Sequence, residues 1–385
     1  MYVPVIFFYK AEHLATMSPQ IISGKLKTSL SQTLSRFYPL AGRIKGLSVS
    51  CNDEGAVFTE ARTDLLLSDF LENMVNMDSL DRFSPTTIGD SPTEWPLLSV
   101  KVTFFGSGSG VAVSVSVSHR ICDAASLLTF VTDWATTTAK GKSNDTIHFA
   151  ETTIYPPPDH VSLQFPPTDS NIVNSTSKCV TNRLVFESTK IAELKRKAAS
   201  ESVHVPTRVE AISALVLKCA RNASRSNSVV PRIPSTLLSR DAIGNLHTSF
   251  FVKKDAENDL DIFETVAAFR KAKVGVNEMI KENLESNTLG QYLFSLMGSF
   301  EAEVKPDIDI YSMSSWCRKP FYEVDFGWGS PVLIGSFNKM FVWLMVSKDG
   351  DCVEVWIGLP EQDMHTFLRD QDLLAYAIVN PPVLI

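Results

Sequence analysis

Hydrophobic and polar residues alternate strictly along the stretch that ends at His119. Valine occupies every odd position from 111 to 117, and alanine or serine occupies every even position from 112 to 118. This period of two is typical of a β-strand with one buried face. His119 continues the valine register, so we expect its imidazole to leave the apolar face at the end of the strand.

A helical pattern follows this strand. Leu127, Leu128, Val131 and Trp134 recur at spacings of three and four, which places them on one face of an α-helix. Asp123 stands between the strand and the helix. A histidine and a carboxylate at such a turn are suited to acid–base chemistry, but a hydrogen-bonded core histidine has the same spacing. This pattern alone leaves both interpretations open.

Similar patterns predict the other elements of the chain. Strands are predicted at 3–9, at 97–105 and at 183–186, and the Gly106–Gly110 turn should pair strand 97–105 with the strand before His119. Hairpins are predicted over 47–61 and 340–357, and helices over 23–37, 64–76, 188–200, 207–220, 261–284 and 361–376. The polar, proline-rich segment 151–180 reads as a linker. Strands and helices mix on both sides of it, which predicts two α/β domains, at 1–150 and 181–385.

Composition narrows the class of protein. The chain has 385 residues, of which 44% are hydrophobic and 21% charged, a balance typical of a globular protein. A net charge of -7 disfavours nucleic acid or an anionic membrane as a partner. The six cysteines lack paired spacing, which favours reduced thiols and a cytoplasmic location. No apolar run reaches the roughly 18 residues of a transmembrane helix, and the apolar start is interpreted as a strand rather than a signal peptide.

A metal site is not expected. His119, Cys122 and Asp123 lie close in sequence, but no second group of histidines or cysteines stands at ligand spacing.

A second unusual stretch runs from Tyr322 to Pro331. Gly327 and Gly329 flank Trp328, and glycine permits backbone conformations and close approaches that other residues cannot make. Taken alone, the stretch fits a structural bulge as well as a functional loop.

The two stretches together resemble a known family. His119–Asp123 (HRICD) and Asp325–Gly329 (DFGWG) resemble the HxxxD and DFGWG signatures of the BAHD family of plant acyl-CoA-dependent acyltransferases. The segment 37–43 (FYPLAGR) looks like an early element of that family. The segments 51–56 and 315–318 look like its clade of alkaloid acetyltransferases and capsaicinoid-type enzymes. The order and spacing of these motifs extend over nearly the whole chain.

The resemblance implies a fold and a mode of binding. Two α/β domains similar to chloramphenicol acetyltransferase would be joined by the crossover at 151–180, with a solvent channel between them. An acyl-CoA co-substrate would enter from one side and a small-molecule acceptor from the other. The protein would act as a monomer without a bound cofactor.

The resemblance also implies residue roles. His119 would be the general base that deprotonates an acceptor hydroxyl, with an amine as the less favoured acceptor and acetyl as the favoured acyl group. Asp123 would support the loop rather than accept a proton. The residues of the second motif would be structural and away from the channel centre, with a place at the domain interface left open: Asp325, Phe326, Gly327, Trp328 and Gly329.

Two departures from the family pattern keep an alternative open. A strand that usually opens the family would lie before Met1, and Asn227-Ser228-Val229 lacks the arginine of an Asn-x-Arg triplet. Arg232 and Arg240 are the nearest substitutes for a cation beside Asp123. The alternative is a truncated, catalytically impaired homologue that keeps the fold. A carrier-protein condensation domain is disfavoured, because Ser118 and Ala124 replace the histidine and glycine that such domains prefer.

Overall fold

The computed structural model describes residues 2–13, 17–46, 48–74, 77–85, 95–143, 147–149, 178–224, 228–236, 242–245, 247–252, 254–255, 261–286, 288–303, 308–336, 341–383 and 385. Residues 2–149 are called the first half below, and residues 178–385 the second half.

Helices occur in both halves. The α-helices are α1 (Pro19–Arg36), α2 (Leu67–Glu72), α3 (Ala124–Lys140), α4 (Ser188–Lys197), α5 (Arg208–Ser224), α6 (Ile262–Glu285), α7 (Leu289–Glu303), α8 (Glu361–Phe367) and α9 (Gln371–Leu374). Helices α1 and α3 pack together: the indole Nε1 of Trp134 donates a hydrogen bond to the Leu26 carbonyl over 3.2 Å. None of the helices in the described part of the chain combines the length and the hydropathy that a bilayer span requires.

Within the described residues, the strands form two large sheets and two small ones. They are β1 (Tyr2–Lys10), β2 (Arg43–Lys45), β3 (Ser48–Ser50), β4 (Val57–Arg62), β5 (Leu98–Phe104), β6 (Gly110–Ser118), β7 (His148–Phe149), β8 (Cys179–Phe186), β9 (Ser228–Thr236), β10 (Ala242–Ile243), β11 (His247–Phe251), β12 (Lys254–Asp255), β13 (Ile308–Ser315), β14 (Leu333–Gly335), β15 (Phe341–Val346), β16 (Val353–Pro360) and β17 (Ile378–Val379).

The first large sheet carries β6 at its centre, in the order β14-β1-β6-β5-β4. Strand β6 pairs antiparallel with β1 and with β5, as the Gly106–Gly110 turn predicts. Strand β14 comes from the second half and pairs with β1. A strand from late in the sequence therefore extends the sheet whose central strand, β6, ends just before His119.

The second large sheet has the order β11-β9-β13-β15-β16-β8-β17, with β12 also paired to β9. Strand β13 runs parallel to β9 and to β15, while β15 and β16 form the predicted antiparallel hairpin. Trp343, Met345 and Trp356 of this sheet belong to the same hydrophobic core as β1 and β6. The two sheets are thus joined through a shared apolar interior.

Three sequence predictions are wrong in detail. Strand β6 is buried on both faces, since Ser114, Ser116 and Ser118 are buried like the valines. This central strand lies between β1 and β5, and both of its faces are covered once the two halves pack on it. The alternating pattern therefore predicted wrongly that one face would be exposed.

The predicted hairpin over 47–61 does not form. Strand β3 pairs with β2, whereas β4 pairs in parallel with β5. Strand β4 forms six residue pairs with the edge of β5, whereas β2 and β3 form three pairs with each other.

The last helix, predicted over 361–376, is divided. The Asp370 carboxylate accepts hydrogen bonds from the backbone amides of Asp372 and Leu373, so a new helix begins there. The predicted crossover falls largely on residues 151–177, outside the described residues, and the domain limits at 1–150, 151–180 and 181–385 stay predictions.

Candidate active site

His119 lies immediately after the end of β6. Its side chain is half-buried, and its backbone leaves the ladder at the point where Ser118 pairs with Tyr2. The side-chain amide Nδ2 of Asn245 donates a hydrogen bond to the His119 carbonyl oxygen over 2.8 Å. The histidine at this strand end is therefore held by a residue of the second half.

Asp123 forms the N-cap of α3. Its Oδ1 accepts hydrogen bonds from the backbone amides of Ala125 and Ser126, both over 2.9 Å, and the residue is 5% exposed. A carboxylate in this position satisfies amides that would otherwise lack partners at a helix start. The turn from His119 to Asp123 is thus fixed at its far end by the helix that follows it.

Gly244 binds the same turn from the second half. Its carbonyl oxygen accepts hydrogen bonds from the Asp123 amide over 3.2 Å and from the Ser126 hydroxyl over 2.7 Å. Its own amide donates to the Ser126 hydroxyl over 3.0 Å. Gly244 and Asn245 together therefore attach to both ends of the turn.

Lys319 supplies a cation near this turn. Burial lowers the pKa of its ammonium group, and the charge of Asp123 acts in the opposite direction. The Lys319 amide donates to the Trp316 carbonyl over 2.8 Å, and its carbonyl accepts from the Phe321 amide over 2.8 Å. This hydrogen-bonded loop places the half-buried Lys319 where its charge interacts with that of Asp123. The side chains of Arg232 and Arg240, considered for this position from the sequence, lie outside the described residues.

Asp325 organises a tight turn by itself. Its Oδ1 accepts hydrogen bonds from the backbone amides of Gly327, Trp328 and Gly329, over 2.7, 2.9 and 2.8 Å. Gly327 and Gly329 have φ angles of 95° and 91°, a region that favours glycine because it lacks a Cβ. One carboxylate and two glycines are therefore enough to define the turn 325–329.

The aromatic residues of this turn are buried against the first half. The ring centroid of Phe326 lies 4.9 Å from that of Trp134 and 5.9 Å from that of Tyr9, both in edge-to-face geometry. The ring centroids of Trp328 and Tyr9 are 5.8 Å apart. A Cβ on Gly327 would come within 3.3 Å of Ala139 on α3. The turn thus packs between β1 and the end of α3. Burial, together with the charge of Asp325, raises the pKa of Tyr9.

The two motifs lie at opposite ends of the same strand. Tyr9, which contacts the turn 325–329, is paired with Val111 at the beginning of β6, while His119 follows its end. At about 3.3 Å per residue, the distance from Val111 to His119 along the strand is roughly 26 Å. His119 and Asp123 lie at the two ends of one turn that follows β6, whereas the turn of Asp325 packs beside the beginning of that strand.

Comparison with known proteins identifies the family. The profile of the family described as "Transferase family" matches residues 1–374. "BAHD acyltransferase BIA1" of Arabidopsis thaliana is 64% identical over 404 residues, which cover 100% of this chain and 92% of that protein. The chain belongs to the BAHD acyltransferase family. This family uses acyl-CoA as its co-substrate.

Other members support the same assignment. "Limonoid 1-O-acetyltransferse" of Citrus sinensis is 31% identical to this acyltransferase, covering 98% of this chain and 90% of that protein. The crystal structure of vinorine synthase matches with a TM-score of 0.78 at 28% identity, over 97% of this chain and 90% of the other. The two-domain α/β fold expected from the sequence is confirmed by this match.

Among the described residues of this acyltransferase, no group of three or more histidine, cysteine, aspartate or glutamate side chains is arranged to hold a metal ion.

Sequence reasoning missed the contribution of the second half to the turn. No pattern in the sequence pointed to Gly244, Asn245 or Lys319 as neighbours of this turn. The adjacent Gly-Asn pair and a lysine before Pro320 were available signals, but neither spacing nor periodicity connects them to His119. Only the packing of the two sheets makes that connection.

Proposed function

We propose that this acyltransferase transfers an acyl group, with acetyl favoured, from a CoA thioester to a hydroxyl group of a plant specialised metabolite. His119 acts as the general base. The observation that supports this proposal best is the half-buried position of His119 at the end of a central strand, on a turn held from both halves. The names of the plant relatives, one of them an O-acetyltransferase, agree with the chemistry.

The reaction proceeds directly between the two substrates. The acceptor oxygen bonds to the acyl carbon, the carbon–sulfur bond of the thioester breaks, and the acceptor proton passes to the neutral His119 imidazole. That proton then goes to the departing sulfur, so CoA leaves as its thiol. Base catalysis of this kind contributes about 10²–10⁴-fold to a rate.

The remaining motif residues act through structure. Asp123 holds the turn by capping α3, and its carboxylate is engaged by the Ala125 and Ser126 amides. Asp325 shapes the turn 325–329 through three backbone amides. That turn packs against Tyr9, which is paired with the beginning of β6, whereas His119 follows the end of β6. Neither aspartate is assigned a proton in the reaction.

The arrangement of substrates follows the family pattern. The two domains, divided by the crossover at 151–180, enclose a channel that His119 lines. Acyl-CoA enters from one side and the acceptor from the other. The protein works as a cytoplasmic monomer, with acyl-CoA as a co-substrate rather than a bound cofactor.

The test combines substrate profiling with one matched pair of variants. Wild-type protein is incubated with a panel of acyl-CoAs and of alcohol and amine acceptors, and products are identified by mass spectrometry. With the best pair, His119→Ala should lower kcat by at least ~10²-fold while CoA affinity changes little. His365→Ala, at an exposed position of α8, is the control and should keep wild-type turnover.

Two results would contradict the proposal. A His119→Ala enzyme within a few-fold of wild type would rule out the general-base role. No product from wild-type protein over the whole panel would favour the catalytically impaired homologue instead.

A further inference from the structure

We infer that Asn245 is a positioning residue, which fixes the backbone of His119 so that its imidazole faces the reacting groups. The inference rests on the proposed function and adds a residue from the second half to the machinery of the first. Its basis is the hydrogen bond of 2.8 Å from the Asn245 Nδ2 to the His119 carbonyl oxygen, which joins residues 126 positions apart.

The hydrogen bond from Asn245 forms at the point where the chain leaves the sheet. Ser118 is the last residue of β6, paired with Tyr2, and its amide donates to the Leu97 carbonyl over 2.9 Å. His119 lies one residue beyond this ladder and precedes an exposed Arg120. The Asn245 amide therefore supplies a hydrogen bond to the backbone at the first position that strand pairing no longer fixes.

Asn245 itself belongs to a segment that is firmly docked on the first half. Strand β10 pairs in parallel with β7, so that Ala242 lies opposite His148 and Ile243 opposite Phe149. Ile243 is 6% exposed and belongs to the core shared with β6. A side chain that follows such an anchored pair can hold its partner in a defined place.

Gly244 adds a second attachment, at the other end of the His119–Asp123 turn. While Asn245 binds the first residue of the turn, Gly244 binds the last, through the Asp123 amide and the Ser126 hydroxyl. Two attachments from consecutive residues to opposite ends of one turn prevent it from rotating about either. The backbone position from which the His119 side chain projects is consequently held by both halves together.

This geometry predicts an effect on kcat rather than on substrate binding. Misplacing a catalytic group by about 1 Å costs up to ~10²-fold in rate, whereas binding surfaces elsewhere are untouched. We therefore expect Asn245→Ala to lower kcat about 10-fold or more, with the KM for acyl-CoA within about threefold of wild type.

Two further variants separate the effect of losing this hydrogen bond from the effect of losing stability. Asn245→Asp keeps the shape but replaces the donor with an acceptor facing the His119 carbonyl, so it should be impaired at least as much as Asn245→Ala. Asn380→Ala is the control, because the Asn380 side chain makes hydrogen bonds to Arg183 and Asn182 in the second sheet. It should lower Tm but leave kcat near the wild-type value.

A spectroscopic readout separates positioning from general loss of structure. The imidazole resonances of ¹⁵N-labelled histidine are recorded for full-length protein, and the His119 signals are assigned by their absence in His119→Ala. In Asn245→Ala these signals should shift or broaden, while in Asn380→Ala they should stay in place.

The outcomes distinguish the two proposals. If His119→Ala is impaired but both Asn245 variants keep wild-type kcat and unmoved His119 signals, the inference is overturned and the proposed function stands. If His119→Ala itself is as active as wild type, the proposed function fails and the inference fails with it. Impaired kcat and displaced His119 signals in both Asn245 variants, with Asn380→Ala normal in both, support the inference.

Discussion

The hydroxyl group of Tyr9 donates a hydrogen bond to the carbonyl oxygen of Val324 over 3.0 Å, across 315 positions of the sequence. Tyr9 is fully buried in the first strand, and Val324 directly precedes the turn 325–329. The bond attaches this late motif to the sheet that carries His119. The motif is therefore part of the core of the first half, although it follows β13 of the second sheet.

A structural role for Asp325 predicts graded losses of stability. Asp325→Ala removes the acceptor of three backbone amides and should lower the free energy of unfolding by about 1–2 kcal/mol, because the residue is exposed and water competes for the amides. Asp325→Asn keeps an acceptor oxygen and should lose less. Denaturant unfolding measures both, with kcat determined on the folded protein. Full stability combined with complete loss of turnover would point to direct chemistry by Asp325.

A buried ion pair should make the second sheet sensitive to Arg183. The Nη1 of Arg183 lies 3.2 Å from a carboxylate oxygen of Glu354, and the two side chains are 5% and 7% exposed. Burial raises the pKa of Glu354, while Arg183 opposes that shift. Arg183→Met leaves the carboxylate without its cation and should lower the free energy of unfolding by about 3–5 kcal/mol.

The exposed pair Lys190–Glu193 provides the comparison for Arg183. The Lys190 Nζ lies 3.3 Å from a carboxylate oxygen of Glu193, but nearly half of each side chain is exposed. Lys190→Met should therefore change the free energy of unfolding by less than about 1 kcal/mol. Urea unfolding of both variants checks the contrast, and equal losses would show that burial does not decide the value of these pairs.

The lowered pKa of Lys319 predicts a pH dependence of stability. Because burial disfavours the charged form, the folded protein releases this proton at a lower pH than the unfolded chain, whose lysine has the ordinary pKa of 10.5. The unfolded state then binds more protons between the lowered pKa and 10.5, so the contribution of Lys319 to stability rises with pH in that window.

Comparison with Lys319→Met isolates this contribution. The free energy of unfolding of wild type minus that of the variant should increase as the pH is raised toward 10.5, and it should be constant at lower pH. Denaturant unfolding at a series of alkaline pH values gives the difference. A difference that falls with pH would mean that the Asp123 charge outweighs burial.

Loss of the Asp123 cap should destabilise the turn more than loss of the His119 ring. Asp123→Ala leaves the Ala125 and Ser126 amides without their acceptor, which typically costs about 0.5–2 kcal/mol. Asp123→Asn keeps an acceptor but loses the charge near Lys319 and should lie between Asp123→Ala and wild type. Thermal unfolding should rank His119→Ala as the most stable of the three variants. A reversed order would show that the carboxylate does not support the turn.

Local pattern was sufficient for most individual elements. The start of the helix predicted over 207–220 was predictable because the hydrogen bonds between Thr207 and Glu210 that cap it form within four residues. The hairpin of β5 and β6 was predictable for the same reason, since a short glycine-rich turn fixes its register. The pairing of β4 was not, because strand 57–62 has its partner at 98–104 and nothing in either segment specifies the other.

The sequence by itself determined the family, the elements around His119 and the residues that carry the two motifs, because these depend on residue identity and short-range spacing. Only the tertiary structure decided that the turn 325–329 packs at the opposite end of β6 from His119, and that Gly244, Asn245 and Lys319 approach the His119–Asp123 turn. These relationships join segments more than a hundred residues apart. They arise from burial of apolar surface between two sheets, which depends on the whole chain and leaves no periodic trace in any one segment.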